Sequence, residues 1–575
     1  MPVANPEKPK RIAVVGSGLA GLTTAYLLQK SGCEVELFEK ADSVGMDAGS
    51  LSVDGVRIDV PFRVFTPDYY PYLYSLYSHL GIEFAAADYS LGFADEHAAS
   101  IWSYTNTTLD DFQMPIPDGI RRGHRLAVTR DWVRLVFACV KIMRVPALLR
   151  PGGYLDRLTI GEYLKREQYD PVFTDRVFIP FIASLLTCSL SAARMYPATT
   201  ILHFVSKAVC GSRLRKAKNG VQEVCEMLTQ GLCKIHLGTT IDKIELSEDG
   251  GGSRVLLVTG DGKSHWFDEA VLATPADTAA RLLRSIKRAP DEYPPSDLLE
   301  ALDSVPYEDT LVVTHRDESV MPARRTEWRG VNIRTARNSD HAMASHWINY
   351  VEHTASGREL STQVFQTVDP LVKLDAAKII SKTYFHRSLV TLDSQARINN
   401  MHRHQGRNGV WFVGTYTSPG VPLLEGCVRT AVDVVRAMGC SVPFAAPRVV
   451  RTSRNGGTYE VGLGSGMARG EVLEGYFEHD AAGTFHFRCP LLYAPSKRGV
   501  DIDSASLGQW LWAWSAWLGF AILLPLLAIA LAAVDAVANA TLGRDLGCRV
   551  QLAAMDIGVY IVCMGQVVYR RAMSV

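Results

Sequence analysis

The N-terminal part of the chain has a regular alternation of apolar and polar positions. Arg11–Val15 is a short apolar, β-branched run that predicts a buried strand. Across Leu19–Lys30 apolar side chains recur at intervals of three and four residues, which predicts a helix. Gly32 is placed to close that helix in a left-handed conformation, and residues 35–38 predict a second strand. Strand, helix and strand follow within about thirty residues, which is typical of a parallel βαβ unit.

The turn between the first strand and the helix is rich in glycine. Gly16 permits the tight turn, Gly18 leaves room for a pyrophosphate beside the backbone, and Gly21 lets the helix pack on the strand. The helix N-terminus offers unpaired N–H groups to the phosphates. Glu39 ends the second strand, about twenty residues on, where a carboxylate can bind ribose hydroxyls. An ordinary glycine-rich turn would not explain this acid. The pattern predicts a dinucleotide site formed by Gly16, Ser17, Gly18, Ala20, Gly21 and Glu39.

Further apolar runs predict more strands downstream. Residues 233–246 and 254–259 are expected to form two strands joined by a turn, and residues 269–275 form a third. Residues 285–395 alternate apolar and polar positions, as in 310–315, and this alternation is typical of strands in a half-buried sheet. The chain therefore predicts an α/β body.

Residues 121–150 combine basic and apolar positions. Asp131 is the only acidic residue in this segment, and apolar residues such as Trp132 and Leu135 make it amphipathic. A basic amphipathic helix suits an anionic membrane surface or the entrance for an acyl chain. A solvated basic face on a helix of the globular body explains the pattern equally well.

Two apolar segments near the C-terminus predict membrane spans. Residues 504–534 have no charged side chain, and their core of about 25 residues is long enough to cross a bilayer. Tryptophans cluster at one end like an interfacial belt, at Trp510, Trp512, Trp514 and Trp517. Residues 550–569 predict a second, weaker span that contains Asp556. Basic pairs at 497–498 and 570–571 favour a membrane protein whose catalytic domain faces the cytosol.

Composition narrows the possible partners. Lysine and arginine total 60, as do aspartate and glutamate, so the charge gives no reason to expect a nucleic acid partner. The 11 cysteines are scattered without a CxxC pair or zinc spacing, so we expect no metal site. Such thiols are interpreted as reduced and mostly buried, which fits the cytosolic side. Residues 1–10 have no apolar signal core.

Motifs at both ends of the globular part resemble the flavin-containing amine oxidoreductase superfamily. Residues 40–45 follow Glu39, and the stretch 56–59 resembles the part of that family that passes the flavin. Residues 409–415 and 425–431 resemble its C-terminal flavin motif, in which a strand delivers a glycine to the cofactor and a helix points its N-terminus at the ring. The resemblance implies FAD as the cofactor. It adds these cofactor-binding residues: Lys40, Gly45, Ile241, Gly414, Thr415, Glu425 and Gly426.

Within that superfamily the chain is most similar to predicted NAD/FAD-binding proteins associated with cyclopropane-fatty-acid synthases in bacteria. The similar stretches are 59–73, 312–328, 346–350 and 405–415. Two positions depart from the family pattern. Met46 and Pro61 stand where the family has glycines near the flavin, which bears on the seat of the ring.

The resemblance implies a Rossmann-type FAD-binding domain interleaved with an α+β substrate domain. The discontinuous FAD domain comprises residues 1–80, 226–285 and 396–440, and the substrate domain comprises residues 81–225 and 286–395. A linker at 441–505 and a membrane anchor with one or two transmembrane helices at 506–571 complete the predicted organisation.

The implied reaction is removal of a hydride from a C–H bond. No catalytic residue can be assigned, because His315, His386 and Glu425 each have structural interpretations as well. The apolar C-terminus favours a lipophilic substrate, such as a fatty acyl chain, polyene or isoprenoid, and a membrane as partner. Two alternatives stay open: an amine oxidase acting on a small or lipidic amine, and a non-catalytic flavin-binding membrane protein.

Overall fold

The structure is a computed structural model. It describes residues 9–45, 50–109, 112–118, 125–144, 155–209, 212–249, 252–286, 293–351 and 360–444, and four short strands between residues 450 and 487. Met46, most of the predicted linker at 441–505 and both predicted membrane spans lie outside the described residues.

The described strands fall into two large sheets and several small ones. In chain order they are β1 (Arg11–Val15), β2 (Glu34–Phe38), β3 (Ser50–Val53), β4 (Val56–Asp59), β5 (Phe84–Ala86), β6 (Leu91–Ala94), β7 (Ser100–Leu109), β8 (Phe112–Asp118), β9 (Arg215–Ala217), β10 (Lys234–His236), β11 (Ile241–Asp249), β12 (Gly252–Thr259), β13 (Ser264–Phe267), β14 (Glu269–Leu272), β15 (Tyr307–His315), β16 (Val331–Thr335), β17 (Ala342–Trp347), β18 (Phe365–Val368), β19 (Ile379–Ser388), β20 (Val410–Phe412), β21 (Val450–Thr452), β22 (Thr458–Glu460), β23 (Phe477–His479) and β24 (Phe485–Phe487).

Helices cover the sheets and form a separate layer between residues 155 and 208. They are α1 (Leu19–Lys30), α2 (Pro71–His79), α3 (Arg125–Arg144), α4 (Ile160–Arg166), α5 (Pro171–Phe173), α6 (Ile179–Leu186), α7 (Leu190–Met195), α8 (Ala198–Ala208), α9 (Val221–Thr229), α10 (Ala276–Arg284), α11 (Ser296–Asp303), α12 (Ser394–Arg403) and α13 (Leu424–Ala437). A π-helical segment, Thr174–Phe178, joins α5 to α6.

The nucleotide-binding part is built on a five-stranded parallel sheet. Its strand order is β10-β2-β1-β14-β20, with β1 at the centre. Val14 pairs with Leu37 on one side and with Val271 on the other, and all three side chains are fully buried. Strands covered on both faces need continuous apolar runs, which is why β1 reads as one in the sequence. Helix α1 packs beside α13 and α9 on this sheet.

One predicted strand is wrong. The run 233–246 is two strands, because β10 joins the parallel sheet while β11 pairs with β12 in an antiparallel sheet. Gly238, with a φ of +59°, lies in the turn between them. A left-handed glycine lets the chain reverse direction there at no steric cost, and apolar spacing alone does not reveal that turn.

The second large sheet is mixed and has eight strands. Its order is β19-β15-β18-β17-β16-β6-β7-β8, and only the pair β16–β6 is parallel. The strands come from two regions, 91–118 and 307–388, which alternate along the chain with those of the parallel sheet. This observation confirms the predicted α/β, Rossmann-type architecture.

The basic amphipathic segment forms α3. Its apolar side packs inward, with Val128, Trp132 and Leu135 buried. Asp131 is also fully buried and accepts hydrogen bonds from Arg130 Nε at 2.8 Å and from the amide of Asp170 at 2.5 Å. Part of the basic charge of α3 is therefore balanced by an internal carboxylate.

Among the helices that the structure describes, none is both long and apolar enough to cross a bilayer.

Candidate nucleotide site

The carboxyl ends of the central strands meet at one edge of the parallel sheet. β1 ends before Gly16, β2 ends before Glu39, and β14 ends before Ala273, whose amide donates to the carbonyl of Val15 at 2.8 Å. β20 is the fourth strand that ends at this edge, and Val413 and Gly414 follow it. In open parallel sheets, ligands bind in the crevice beyond these carboxyl ends. Four predicted segments therefore converge at the position expected for a dinucleotide.

The glycine-rich turn is held by two very close backbone approaches. Gly16 has a φ of +104°, and its amide donates to the carbonyl of Phe38 at 2.8 Å. A Cβ at Gly16 would lie 2.6 Å from the carbonyl oxygen of Ala273, and one at Gly21 would lie 1.9 Å from the carbonyl oxygen of Gly16. No other residue fits either position without moving the backbone. Gly21 therefore sets the distance between helix and strand, as its place in the motif predicts.

The N-terminus of α1 is free to bind an anion. Gly18 is its N-cap residue and makes no side-chain capping bond. The first amides of a helix have no partner within the helix, and they carry the positive end of its dipole. Ala20, which lies in the first turn, is buried. The turn thus presents backbone donors without a side chain in front of them.

Glu39 is tied to the glycine-rich turn by a network that the sequence did not predict. Its Oε2 accepts from the Ser17 amide at 2.8 Å and from the Ser17 hydroxyl at 2.6 Å, and its Oε1 accepts from the Ala41 amide at 2.9 Å. The Gly45 amide donates to the Ser17 hydroxyl at 3.3 Å. A carboxylate has roughly four acceptor positions, so one remains for a ribose hydroxyl. Lys40 is exposed beside it.

The predicted C-terminal motif, residues 409–415 and 425–431 (the distal motif), presents a second glycine at the same sheet edge. Gly414 has a φ of +146°, and a Cβ there would lie 3.1 Å from the ring of Tyr416. Its amide donates to the Thr430 hydroxyl at 3.2 Å. Thr415 begins a 3-10 turn, and its hydroxyl lies 3.1 Å from that of Ser388 at the end of β19. The contact links the nucleotide sheet to the mixed sheet at this edge.

Glu425 has a role that differs from the one its motif implies. Its two carboxylate oxygens accept from the amides of Tyr72 and Leu73, each at 3.0 Å, so the side chain caps the start of α2. Burial raises the pKa of this carboxyl to about 7, while the two amides and Arg429 act in the opposite direction. Gly426 lies in the first turn of α13, where a Cβ would be 3.0 Å from the Cβ of Ser418. Both carboxylate oxygens of Glu425 are therefore already bonded to the start of α2.

Ile241 belongs to the apolar wall behind β2. It begins β11, is buried, and shares a core cluster with Phe38 and Val15. This places Ile241 beside the strand ends that carry Gly16 and Glu39. Its proposed contact with the adenine end of the cofactor stays a prediction.

A segment rich in tyrosine, residues 69–77, belongs mainly to the core. Tyr69, Tyr70, Tyr72 and Tyr77 are buried, and Tyr69 packs edge-on against Phe204 with ring centroids 4.8 Å apart. The Tyr69 hydroxyl also accepts from the Val421 amide, at 3.3 Å, in the loop before α13. The segment therefore packs in the core and supports the loop before α13 through this hydrogen bond.

The two histidines considered in the sequence analysis, His315 and His386, offer no evident general base. Burial lowers the pKa of His315 to about 4, and both its ring nitrogens are bonded, Nε2 to Thr367 and Nδ1 to the Asp317 amide. His386 lies on the half-exposed face of β19, where it bonds to Asp309 at 2.7 Å and stacks on Tyr307. Both are structural histidines in this arrangement.

Among the described residues, one group of side chains has the geometry for a metal ion. Single ligand atoms of Glu36, His236 and His265 lie within 4.8 Å of one another. However, Glu36 already accepts from Arg11 at 2.9 Å and from Lys234 at 3.0 Å. Two cations on the same carboxylate oppose binding of a divalent ion, so these side chains fit an ion-pair cluster better than a metal centre.

Two functional contacts were missed in the sequence. Ala273 forms the wall against Gly16, and Thr430 holds Gly414. The first contact could have been predicted from the sequence, because a predicted parallel strand ends immediately before Ala273 and the ends of parallel strands share one edge of the sheet. The second lies within the motif at 425–431, but its contact with Gly414 depends on how that helix packs against the end of β20.

The described residues fit a dinucleotide such as FAD. The turn has open backbone donors at Gly18, and a Cβ built at Gly45 would meet no atom within 4 Å. A carboxylate stands at the ribose position.

Comparison with known proteins agrees with this geometry. Residues 14–80 match the NAD(P)-binding Rossmann-like domain. Over 292 residues the chain is 27% identical to the 15-cis-phytoene desaturase of Glycine max, with 48% of this chain and 50% of the desaturase covered. The chain thus spans about half the length of the curated relatives that it matches.

Solved structures share the overall fold. The cyclohexylamine oxidase of Brevibacterium oxydans aligns with a TM-score of 0.51 and 14% identity, covering 75% of this chain and all of the oxidase. The CLA-producing fatty acid isomerase of P. acnes aligns with a TM-score of 0.50 and 15% identity, covering 75% and 99%. The chain therefore shares its overall fold with these two enzymes.

The pH dependence of stability tests the position of Glu425. Its folded pKa of about 7 lies above the ordinary value of about 4.3, so the folded chain binds this proton more tightly than the unfolded chain. The stabilisation is complete below about pH 4.3 and is lost as the pH rises through about 7. As the pH rises from about 5 to about 8, we expect the melting temperature of Glu425→Gln to fall less than that of the wild type.

Thermal melts of both proteins across that range measure this effect. Glu34→Gln, at the exposed first position of β2, is the matched control and should follow the wild type. Parallel curves for the wild type and Glu425→Gln would contradict the assignment.

Proposed function

We propose that this protein is an FAD-dependent oxidoreductase that acts on a lipophilic substrate. The observation that carries the proposal is the sheet edge where the glycine-rich turn, Glu39 and Gly414 converge. That edge combines both ends of a flavin dinucleotide site, one for the pyrophosphate and ribose and one for the ring. The fold shared with flavin amine oxidases supports it.

Each part of the site has one task. The backbone of residues 16–21 binds the pyrophosphate, and Glu39 binds the ribose. Gly414, Thr415 and the first turn of α13 would hold the flavin ring, and the bound ring would accept a hydride from a C–H bond. The helix dipole of α13 favours negative charge at that end of the site. The surrounding apolar core excludes water.

The substrate class is inferred from two supports. First, the chain is similar in sequence to desaturases whose names specify phytoene, which is a lipophilic polyene. The C-terminal segments 510–534 and 550–569 are apolar enough to anchor the protein in a membrane, with the catalytic domain on the cytosolic side. A fatty acyl chain, polyene or isoprenoid fits both. The resemblance to proteins associated with cyclopropane-fatty-acid synthases points to the same class.

Oxidation of an amine is the second candidate. The fold shared with the cyclohexylamine oxidase favours it. Its substrate would be a small or lipidic amine. The identity of the substrate that reduces the flavin therefore separates the two candidates.

Substitution at Glu39 tests the cofactor site. Glu39→Ala removes a charge-assisted hydrogen bond worth roughly 1.5–3 kcal/mol, so we expect the Kd for FAD to rise about one to two orders of magnitude. Gly18→Val should also weaken binding, because it places a branched side chain where the pyrophosphate lies. Flavin occupancy of the purified proteins and titration of the apoproteins measure both effects.

The control for Glu39→Ala is Glu34→Ala, at the exposed start of the same strand, where the nearest cation, Arg11, lies 3.8 Å away. This variant should keep full occupancy. Full occupancy in both Glu39→Ala and Gly18→Val would contradict the site.

Anaerobic flavin bleaching tests the substrate class. The purified protein should lose its oxidised flavin absorbance when mixed with a membrane lipid extract, and it should keep that absorbance with a panel of soluble amines. Bleaching by an amine, together with peroxide release in air, would favour the amine oxidase. A flavin that no compound reduces would favour a non-catalytic flavin-binding protein.

Truncation tests the proposed anchor. Removal of residues from Leu507 onward should leave a folded flavoprotein that no longer sediments with membranes, because the described nucleotide site ends before residue 445. The basic helix α3 would then give at most weak adsorption to anionic vesicles, which salt screens within about 10 Å at 0.1 M. Firm membrane binding of the truncated protein in high salt would contradict an anchor at the C-terminus.

A further inference from the structure

Two cysteines far apart in the sequence meet on the surface of the nucleotide-binding part. Cys33 and Cys440 are 407 positions apart, and their Sγ atoms lie 3.9 Å from each other. Both side chains are partly exposed, whereas Cys139, Cys188 and Cys225 are buried. Buried cysteines behave as small apolar side chains, but a partly exposed pair in contact is accessible to an oxidant.

Each of the two cysteines immediately follows the end of a helix that covers the parallel sheet. Gly32, just beyond the end of α1, has a φ of +90°; the Cys33 amide donates to the carbonyl of Leu28 at 3.1 Å and the Gly32 amide to that of Gln29 at 3.0 Å. These two bonds define a Schellman motif with the cysteine in its last position.

α13 ends in the same way. Gly439 has a φ of +81°, the Cys440 amide donates to Val435 at 3.0 Å, and the Gly439 amide donates to Arg436 at 3.0 Å. The cysteine again occupies the last position of the motif. Two identical helix ends therefore fix the backbones of both cysteines side by side.

A third contact holds the two helix ends in register. The hydroxyl of Ser31 donates to the carbonyl of Ser441 at 3.0 Å, next to the cysteine pair. Because both backbones are fixed, rotation of the side chains about χ1 is the motion that brings the sulfur atoms to bonding distance. A disulfide needs its two Cβ atoms within about 4.5 Å, and such rotation cannot compensate for backbones that lie too far apart.

We propose that Cys33 and Cys440 form a reversible disulfide that joins the ends of α1 and α13. With a small disulfide such as oxidised glutathione, one cysteine thiolate attacks and releases a glutathione thiol. The second thiol then loses its proton, displaces the other glutathione and closes the Cys33–Cys440 bond. The two cysteines lose two electrons and two protons, and the glutathione disulfide is reduced to two thiols.

The surroundings of the two cysteines affect the rate at which the disulfide forms. Burial raises the pKa of Cys33 to about 11, with a further contribution from Cys440. Thiolate is the attacking species, so Cys33 attacks slowly at neutral pH and faster as the pH rises.

The bond would also act on the cofactor site, and this consequence rests on the proposed function. α1 begins at Gly18 and α13 begins at Leu424, at the two ends of the flavin site. Tying their far ends together restricts separation of the helices. We therefore expect oxidised protein to release FAD more slowly than reduced protein.

The experiment uses the full-length protein incubated with oxidised or reduced glutathione. Oxidation should make the intact chain lighter by two hydrogen atoms and yield one peptide pair that contains residues 33 and 440, with a melting temperature several degrees higher. Reductant should reverse all three changes, and the rate of cross-linking should increase with pH.

Single substitutions provide the controls. Cys33→Ser and Cys440→Ser should give neither the cross-linked peptide nor the change in melting temperature. Cys233→Ser, which removes an exposed cysteine, should behave as the wild type. A wild-type chain that carries only glutathione adducts, or that pairs other cysteines, would overturn the proposal. A cross-linked chain that binds no FAD would contradict the proposed function and leave the disulfide established.

Discussion

The structure depends on the contact between Gly21 and the carbonyl of Gly16. No side chain fits between helix and strand there, since even a methyl group at Gly21 would lie 1.9 Å from that oxygen. The contact brings the first turn of α1 down onto the end of β1, and this sets the direction of the helix dipole. Ser17 then faces Glu39, and Gly16 abuts Ala273. The remaining strands of the edge are positioned around this single approach.

Much of the local structure could be predicted because it is written in short-range patterns. β1 and α1 have the bounds that apolar spacing indicated, and Gly32 closes α1 with a positive φ. These elements need only neighbours within a few residues to specify them, since periodicity and glycine conformation are local properties. The Rossmann-type architecture followed from their order along the chain.

The site was less predictable where it depends on distant segments. Glu425 lies in the expected helix, yet its carboxylate bonds to the start of α2, some 350 positions away in the sequence. Ser17 was predicted as part of the turn, but its bonds to Glu39 depend on how β2 ends beside it. Motif position gave the backbone placement of both residues. The direction of a side chain is decided by tertiary contacts, and a single sequence does not encode them visibly.

The interleaving of the two large sheets has a mechanical consequence. The described strands pass from the parallel sheet to the mixed sheet and back twice, between residues 38 and 91, 118 and 234, 272 and 307, and 388 and 410. Two domains joined by one linker can separate by rotation about a single hinge. When several chain segments connect them, every connection must bend at the same time. Entry of a ligand between the sheets therefore falls to the loops at their edge. No single break in this part of the chain releases either sheet as an independent unit.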